Sequence, residues 1–512
     1  MNDQGNRPPR SRWQPTRREL LRAAAVAGAG VALAGPLARI ARAAATAEYD
    51  DGSAAIPSGL AGAPERVIVV GAGWAGLTAA NALRNAGIEH VVLEGRDRIG
   101  GRAHTIDLGG IPVDLGCSWI HDPIGNPLTT FAEQVGVARR NADLDADATT
   151  YRMWDGRLRR ELALDEKLAA LGHGANFAFG AAVAIAAELG RGASVYDGAQ
   201  LYLDRQGLVG DARRQAEFAI RILSELPENY PWTRMSLHDV VTRDLGYGGG
   251  LGVWPVGGYA SLYRAMAGPE PVRLLHEVRA IECSRHGVSV HGVARTASGT
   301  RRFVERGSHV VIAVPLGVLK ARAIRFLPGL PSDKLAAIRR VGFGWIEKVA
   351  LAFDEPFWAD ALHTHIVHVS GRVPFQLPLW VDVDRISGEP ALIAFSSGTD
   401  ARRMHDLGPR AVLELTLARL RDILGRDVPQ PRAWNVTDWQ GSPYTRGGYT
   451  TTALGSSPED HDVLAEPVAG RILFCGEHTH RTRYAHADGA MTTGIREVKR
   501  LLQSATVTLG AG

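Results

Sequence analysis

The stretch from Val67 to Arg102 (VIVVGAGWAGLTAANALRNAGIEHVVLEGRDRIGGR) constrains this chain more than any other. Its β-branched run, Val67 to Val70, reads as a buried parallel strand, and Gly71, Gly73, Ala75 and Gly76 make a tight turn into a helix. The unpaired N–H groups and dipole at that helix start favour an anion, and the absent side chain at Gly73 lets a pyrophosphate reach the backbone. A second strand, HVVLE, ends in Glu94, at the spacing of a carboxylate that accepts ribose hydroxyls. Glycines alone would also suit an ordinary α/β turn. Strand, glycines, helix, strand and acid in this order point instead to a dinucleotide. The unit does not separate NAD from FAD. The continuation through Gly100, Gly101 and Arg102 favours an extended FAD diphosphate held from two sides.

The formal charge of +4 invites a nucleic-acid partner, but its distribution argues against one. Residues 1–45 hold eight arginines against Asp3 and Glu19, so the rest of the chain is slightly acidic. This basic leader contains TRRELLR (Thr16 to Arg22), an apolar segment from Ala23 to Ala38 and small residues to Ala45. It resembles a twin-arginine export signal, which predicts engagement of the twin-arginine translocase, cleavage and a periplasmic or secreted protein. An uncleaved anchor or a basic tail is the other reading. The apolar segment is short for a membrane span and is interrupted by Pro36, so no stable span is expected after cleavage. The scattered Cys117, Cys283 and Cys475 suggest neither a disulfide framework nor a metal site, and read as buried small apolar side chains.

An α/β fold is expected, with an FAD-binding dinucleotide domain on a parallel sheet and a discontinuous α+β substrate domain. Residues 46–64 read as a linker. Residues 65–150, 244–330 and 432–505 compose the FAD domain, and residues 151–243 and 331–431 the substrate domain. The first insertion is expected to be mainly helical, with an apolar run, FAFGAAVAIAAEL, too short to cross a bilayer. The second reads as strands with a few helices, among them KVALAF, LPLWVDV and ALIAFSS.

Seven motifs follow in order: LEGRDRIGGR, DLGCSWIH, WPVGGYASL, VVIAVPLGVLK, GFGWIEKVALAF, DWQGSPYTRGGYT and FCGEHTHRTRYAHADGAMTTGIREV. On these the chain resembles the flavin-containing amine oxidases, the superfamily of monoamine, polyamine and L-amino-acid oxidases. The resemblance spans nearly all of the chain after the leader. It implies that Glu94 binds the adenosine ribose, that Arg96, Gly101 and Arg102 follow the diphosphate or ribityl chain, and that Val278 meets the adenine. Gly476 and Glu477 would hold a ribose or ribityl hydroxyl, and Ala490, Met491 and Thr492 would turn N–H groups at a helix start toward the flavin. Trp439 would pack beside the flavin. Read without the resemblance, Arg96 equally suits a surface salt bridge and Trp439 an ordinary core.

Lys348 is the catalytic candidate. Alone, a lysine in EKVALAF also suits an exposed strand edge, since burial would cost unless it found partners. The GFGWIEK context implies instead the family lysine that holds a water against flavin N5 and assists reoxidation. Tyr449 matches the first of two aromatic rings that orient a neutral amine, and the second position falls on His486, which can stack, take a proton or simply pack. SWIHD resembles the polyamine oxidases, which implies that Trp119 and His121 complete the substrate cavity, and Asp122 is a carboxylate candidate for a polyamine. Gly448 stands where monoamine oxidases carry the flavin-linked cysteine, so FAD is expected to be noncovalent and no metal is implied. DLGCSWIH lacks the arginine clamp of amino-acid oxidases, which favours a polyamine or monoamine over an amino acid. The implied reaction passes hydride from the amine to flavin N5, giving an imine, then aldehyde, with hydrogen peroxide from molecular oxygen. An amine dehydrogenase with another acceptor, or a noncatalytic FAD-binding interaction protein, remains open. Oligomeric state is not legible.

Overall fold

The computed structural model describes residues 60, 64–141, 152–242, 252–269, 272–359, 365–369 and 375–510. Residues 1–45, expected to be an export signal, and most of 46–64, expected to be a linker, lie outside them. Strand β1 (Arg66–Val70) leads through the glycine turn into helix α1 (Trp74–Asn85) and strand β2 (Glu89–Leu93). Val67, Ile68 and Val69 are fully buried, as a strand covered on both faces requires. The sheet has five parallel strands, ordered Ile472–Phe474, His309–Ile312, β1, β2 and Val272–Arg273. The C-terminal helix packs closely on α1 across its small residues: a Cβ on Gly494 would lie 2.4 Å from Ala75 O.

Between Val272–Arg273 and His309–Ile312 runs an antiparallel meander, His276–Ser284, Gly287–Thr296 and Gly299–Gly307, completed in parallel by Arg325–Leu327. It forms its own four-stranded sheet, so the chain leaves the dinucleotide sheet after Val272–Arg273 and returns to it at His309–Ile312.

The first insertion opens on a hairpin, Arg152–Asp155 with Arg160–Glu161, where a mainly helical segment was expected. Helices α2 (Leu164–Asn176) and α3 (Ala182–Leu189) follow, joined without a break by a π turn, Phe177–Ala181. Then come α4 (Val195–Arg205), α5 (Gly210–Glu228) and α6 (Leu237–Thr242). The expectation that the apolar run is too short to span a bilayer fails on length. The π turn fuses it into one 26-residue helix, Leu164–Leu189, long and apolar enough by length and composition. Its buried side, including Leu171, Phe177 and Ile185, packs on α4, α5 and α6, while Val183 is 55% exposed.

The hairpin joins a seven-stranded sheet whose centre is β3 (Ile346–Ala352) and β4 (Ala391–Ser397). Ala433–Val436 forms the edge beside β3, just past the boundary expected for the second insertion. Helix α7 (Ala487–Gly510) closes the fold.

Candidate active site

Where β1 and α1 meet, the glycines are set by space. Gly71 has φ +108, and a Cβ at Gly76 would lie 1.9 Å from Gly71 O. Gly73 is the N-cap of α1, with no side chain capping it, so the first N–H groups of the helix face the cavity without a competing partner. Gly101, φ +61, brings its backbone against Gly73, where an added Cβ would stand 3.0 Å from Gly73 Cα. Glu94 is buried, one oxygen accepting from Ala72 N at 2.8 Å and the other from Arg96 N at 2.8 Å. That pins the carboxylate at the end of β2.

These residues line one cavity of about 590 Å³ that continues to Lys348, Tyr449 and His486. Gly71, Gly73, Ala75, Glu94, Arg96, Gly101, Arg102, Val278, Trp439, Gly476, Glu477 and Ala490 line its dinucleotide half, and Trp119, His121, Lys348, Tyr449 and His486 the other. Gly76, Met491 and Thr492 do not line it. Gly76 acts through the tightness of the turn. The expectation for Ala490–Thr492 is corrected because α7 begins at Ala487: Ala490 N already donates to His486 O at 3.1 Å, and Met491 and Thr492 sit in the second turn. The N–H groups left over at this helix start belong to Ala487, Asp488 and Gly489.

Arg96 is no surface salt bridge. Its guanidinium donates to Ser442 Oγ at 2.8 Å and lies over the Tyr444 ring at 5.3 Å, and burial lowers its pKa. Arg102 donates to Gly448 O at 2.8 Å and pairs with Glu477 at 2.9 Å. Burial pushes the Glu477 pKa upward, but Arg102 and the Ala485 N–H outweigh it, and the net shift is down. The open glycine turn, the pinned Glu94 and this arginine pair fit an extended dinucleotide diphosphate, which is what FAD presents. At Gly448 a Cβ would approach Asn229 Oδ1 at 2.8 Å and Ile346 Cγ2 at 2.9 Å.

Lys348 is 4% exposed, which decides against the strand-edge reading. Its Nζ donates to Asp114 O at 2.9 Å, Gly116 O at 2.6 Å and Ser118 Oγ at 2.7 Å, and sits 4.8 Å from the Phe395 ring centre. An ammonium has three N–H groups, and all three are spent on the segment leading into SWIH. A water held by Lys348 would have to displace one of these bonds, so its direct effect here is to fix that loop. Burial lowers its pKa to about 8, with Asp114 pulling the other way, and burial raises Asp114 to about 6. Cys117, within the same loop, is half-buried and lines the cavity instead of being packed away, and Cys283 is half-buried too; burial lifts the Cys117 thiol to about 11.

Tyr449 donates its hydroxyl to Pro227 O at 2.9 Å, which sets its ring orientation. Trp119 packs with its ring centre 5.7 Å from Phe395 and 5.2 Å from Trp254. His121 and His486 meet edge to face, 5.7 Å between ring centres. His486 Nδ1 lies 2.9 Å from Tyr484 O, a carbonyl that can only accept, so the neutral ring carries its hydrogen on Nδ1. Trp439 N donates to Glu347, a buried carboxylate whose pKa desolvation raises to about 7.

Asp122 is not available to a substrate. It pairs with Arg483 at 2.9 Å, and Arg483 also holds Asp488 at 2.7 Å, all three buried. Glu228 is the carboxylate that sequence reasoning missed. It ends α5, lies 4% exposed against the substrate half of the cavity, and accepts from Thr451 Oγ1 at 2.7 Å. Asn229, left-handed at φ 48, turns the chain there; the ENYP that follows an amphipathic helix was its only signal in the sequence. Among the described residues, no group of three or more His, Cys, Asp or Glu is placed to hold a metal.

Residues 74–502 match the family described as Flavin containing amine oxidoreductase. Probable polyamine oxidase 4 of Arabidopsis thaliana is 30% identical, over 84% of this chain and 85% of its own. Lysine-specific histone demethylase 1 homolog 2 of Oryza sativa subsp. japonica is 32% identical over 88% of this chain, which spans 59% of that longer relative. The chain covers little more than half of several such demethylases. Putrescine oxidase bound to putrescine superposes with a TM-score of 0.66, at 22% identity, over 86% of this chain and 99% of that one, a likeness of fold. With the matched span reaching from the glycine turn to α7, the chain belongs to the flavin-containing amine oxidoreductase family.

Proposed function

We propose that this protein is an FAD-dependent oxidase of primary or secondary amines. The observation that carries the reading is continuity. One cavity runs from the glycine turn and Glu94, suited to a dinucleotide, to a pocket walled by Trp119, Lys348, Tyr449 and His486. FAD, when bound, supplies the acceptor for the hydrogen and two electrons lost beside the amine nitrogen. Glycine backbone, Glu94 and the Arg102–Glu477 pair would hold it noncovalently. Tyr449 and His486 would flank the amine, with the Tyr449 ring fixed through Pro227 O. Glu228 would draw the arriving ammonium inward, and the surrounding apolar walls would favour its neutral form. Lys348 would keep Trp119 and His121 in place by anchoring the chain just before them. The relatives named for polyamine and putrescine oxidation support an amine substrate; the demethylases add N-methylated lysine as a secondary amine.

The test is hydrogen peroxide release from FAD-loaded protein across a panel of alkylamines, arylalkylamines, diamines and polyamines. Peroxide with at least one amine is expected. None with any, from fully loaded protein, removes the reading; flavin that is bleached by the amine, stays bleached in oxygen and recovers only when an added dye takes its two electrons would assign a dehydrogenase instead.

Export by the twin-arginine route to a periplasmic or secreted location belongs to the same proposal, resting on TRRELLR and the apolar segment after it. Replacing Arg17 and Arg18 by lysine should retain the protein in the cytoplasm, and unchanged fractionation would remove it.

A further inference from the structure

Beyond the chamber around Tyr449, the cavity extends between helices of the first insertion. Phe177, Phe179 and Val183 contribute from the π turn and α3, Val195 from the start of α4, and Val240 and Val241 from α6. Among the described residues lining this arm no side chain is charged. Phe177 and Val195 are buried at its inner side, while Val183 is 55% exposed, which puts the arm's mouth at the protein surface. The π turn widens the helix by one residue where Phe177 and Phe179 face the cavity, a distortion that costs regular hydrogen bonding and recurs at ligand-facing positions. Carboxylates line only the cavity's other parts. Glu94, Glu277, Glu477 and Asp488 are bound to their own protein partners there, and Glu228, which accepts from Thr451 Oγ1, stands at the arm's inner end.

An ammonium placed along this arm would lose its hydration with no carboxylate to replace it, whereas a hydrocarbon chain would gain by leaving water. We propose that the arm is the subsite for an uncharged apolar chain, so that the preferred substrate is an amine bearing a long alkyl or arylalkyl group. This rests on the amine oxidation proposed above and separates it from the polyamine reading. One nitrogen lies at the flavin side near Glu228 and Tyr449; the tail runs out between α3 and α6.

Holoenzyme mixed rapidly and anaerobically with decylamine, butylamine and 1,10-diaminodecane tests it, with each dissociation constant read from how the flavin-bleaching rate saturates with amine, or from the flavin absorbance shift where no bleaching occurs. Decylamine should bind about tenfold or more tightly than the diamine of equal length, which must desolvate a second charge. From butylamine upward, affinity should rise by up to about fourfold per buried methylene. Val183→Asp puts a carboxylate on an exposed rim position, where folding tolerates it, and should lower the decylamine-to-diamine preference by about tenfold; Val240→Asp should do so from the opposite wall. A diamine that binds as tightly as decylamine, or a preference unmoved in both folded variants, overturns the proposal. Peroxide is scored separately. Binding in the expected order without peroxide supports the subsite and removes the oxidase reading, while peroxide with the diamine preferred keeps the oxidase and overturns the subsite.

Discussion

Lys348 anchors three groups of one loop from a neighbouring strand, and this makes its replacement informative. Lys348→Met leaves Asp114 O and Gly116 O to share the long contacts of one hydroxyl, Ser118 Oγ at 3.5 and 3.4 Å, which should cost about 2–4 kcal/mol of stability. If fixing the loop is its main effect, flavin reduction by amine and reoxidation by oxygen should both slow, each by about tenfold or more. Stopped-flow absorbance resolves the two, and a loss confined to reoxidation would restore the water-holding role. Lys334 gives a second reading of burial. It donates to Val463 O and Leu464 O, lies over the Phe474 ring, and burial lowers its pKa from 10.5 to about 7. The unfolded chain therefore binds more protons than the folded one between pH 7 and 10.5, so this group's contribution makes stability rise with pH in that window. Lys334→Met should flatten the rise by up to about 1.4 kcal/mol per pH unit, measured by denaturant unfolding at pH 7.5 and 9.5. An unchanged slope would mean that Lys334 stays charged.

At the scale of elements, the glycine turn makes the sharpest contrast. Gly76→Ala sets a Cβ on Gly71 O and should cost about 3 kcal/mol or more, with FAD content falling in the purified protein. Gly172→Ala, in α2 with open space around it, should be neutral or stabilising by up to about 1 kcal/mol. Retained FAD and stability in the first variant would show that the turn can widen. This turn was legible in the sequence because strand, glycines and acid follow one another within a short stretch, and local order is what a motif records. The identity of β3 was legible for the same reason, its apolar run broken only by Glu347 and Lys348. The destinations of polar side chains were not. Asp122 looked available beside SWIH, but Arg483, distant in sequence, takes it up. Glu228 lay hidden at a helix end whose left-handed Asn229 decides where it points. Length misled in FAFGAAVAIAAEL, because a π turn lets two helical segments run as one.

For the whole molecule, the cavity draws its walls from both large sheets and from the helical insertion. Removing FAD should therefore loosen more than α1. At a cofactor concentration a thousandfold above its dissociation constant, the bound form gains about 4 kcal/mol. Hydrogen exchange should report faster opening in β3 and β4 as well as in β1 and α1 when the apoprotein is compared with the loaded one. Protection unchanged in β3 and β4 would mean that the two sheets are energetically separate. This division between sheets was only partly legible: periodicity marks a strand but not its neighbour, and Ala433–Val436 and the hairpin at Arg152–Glu161 join the seven-stranded sheet from either side of long insertions. The parallel sheet carries a consequence for synthesis. β1 is flanked by His309–Ile312, which in turn needs Ile472–Phe474, and Glu477 and the start of α7 close the cavity last. A chain emerging from the ribosome thus displays its glycine turn early but cannot enclose a cofactor until the start of α7 is made, so loading waits for that helix.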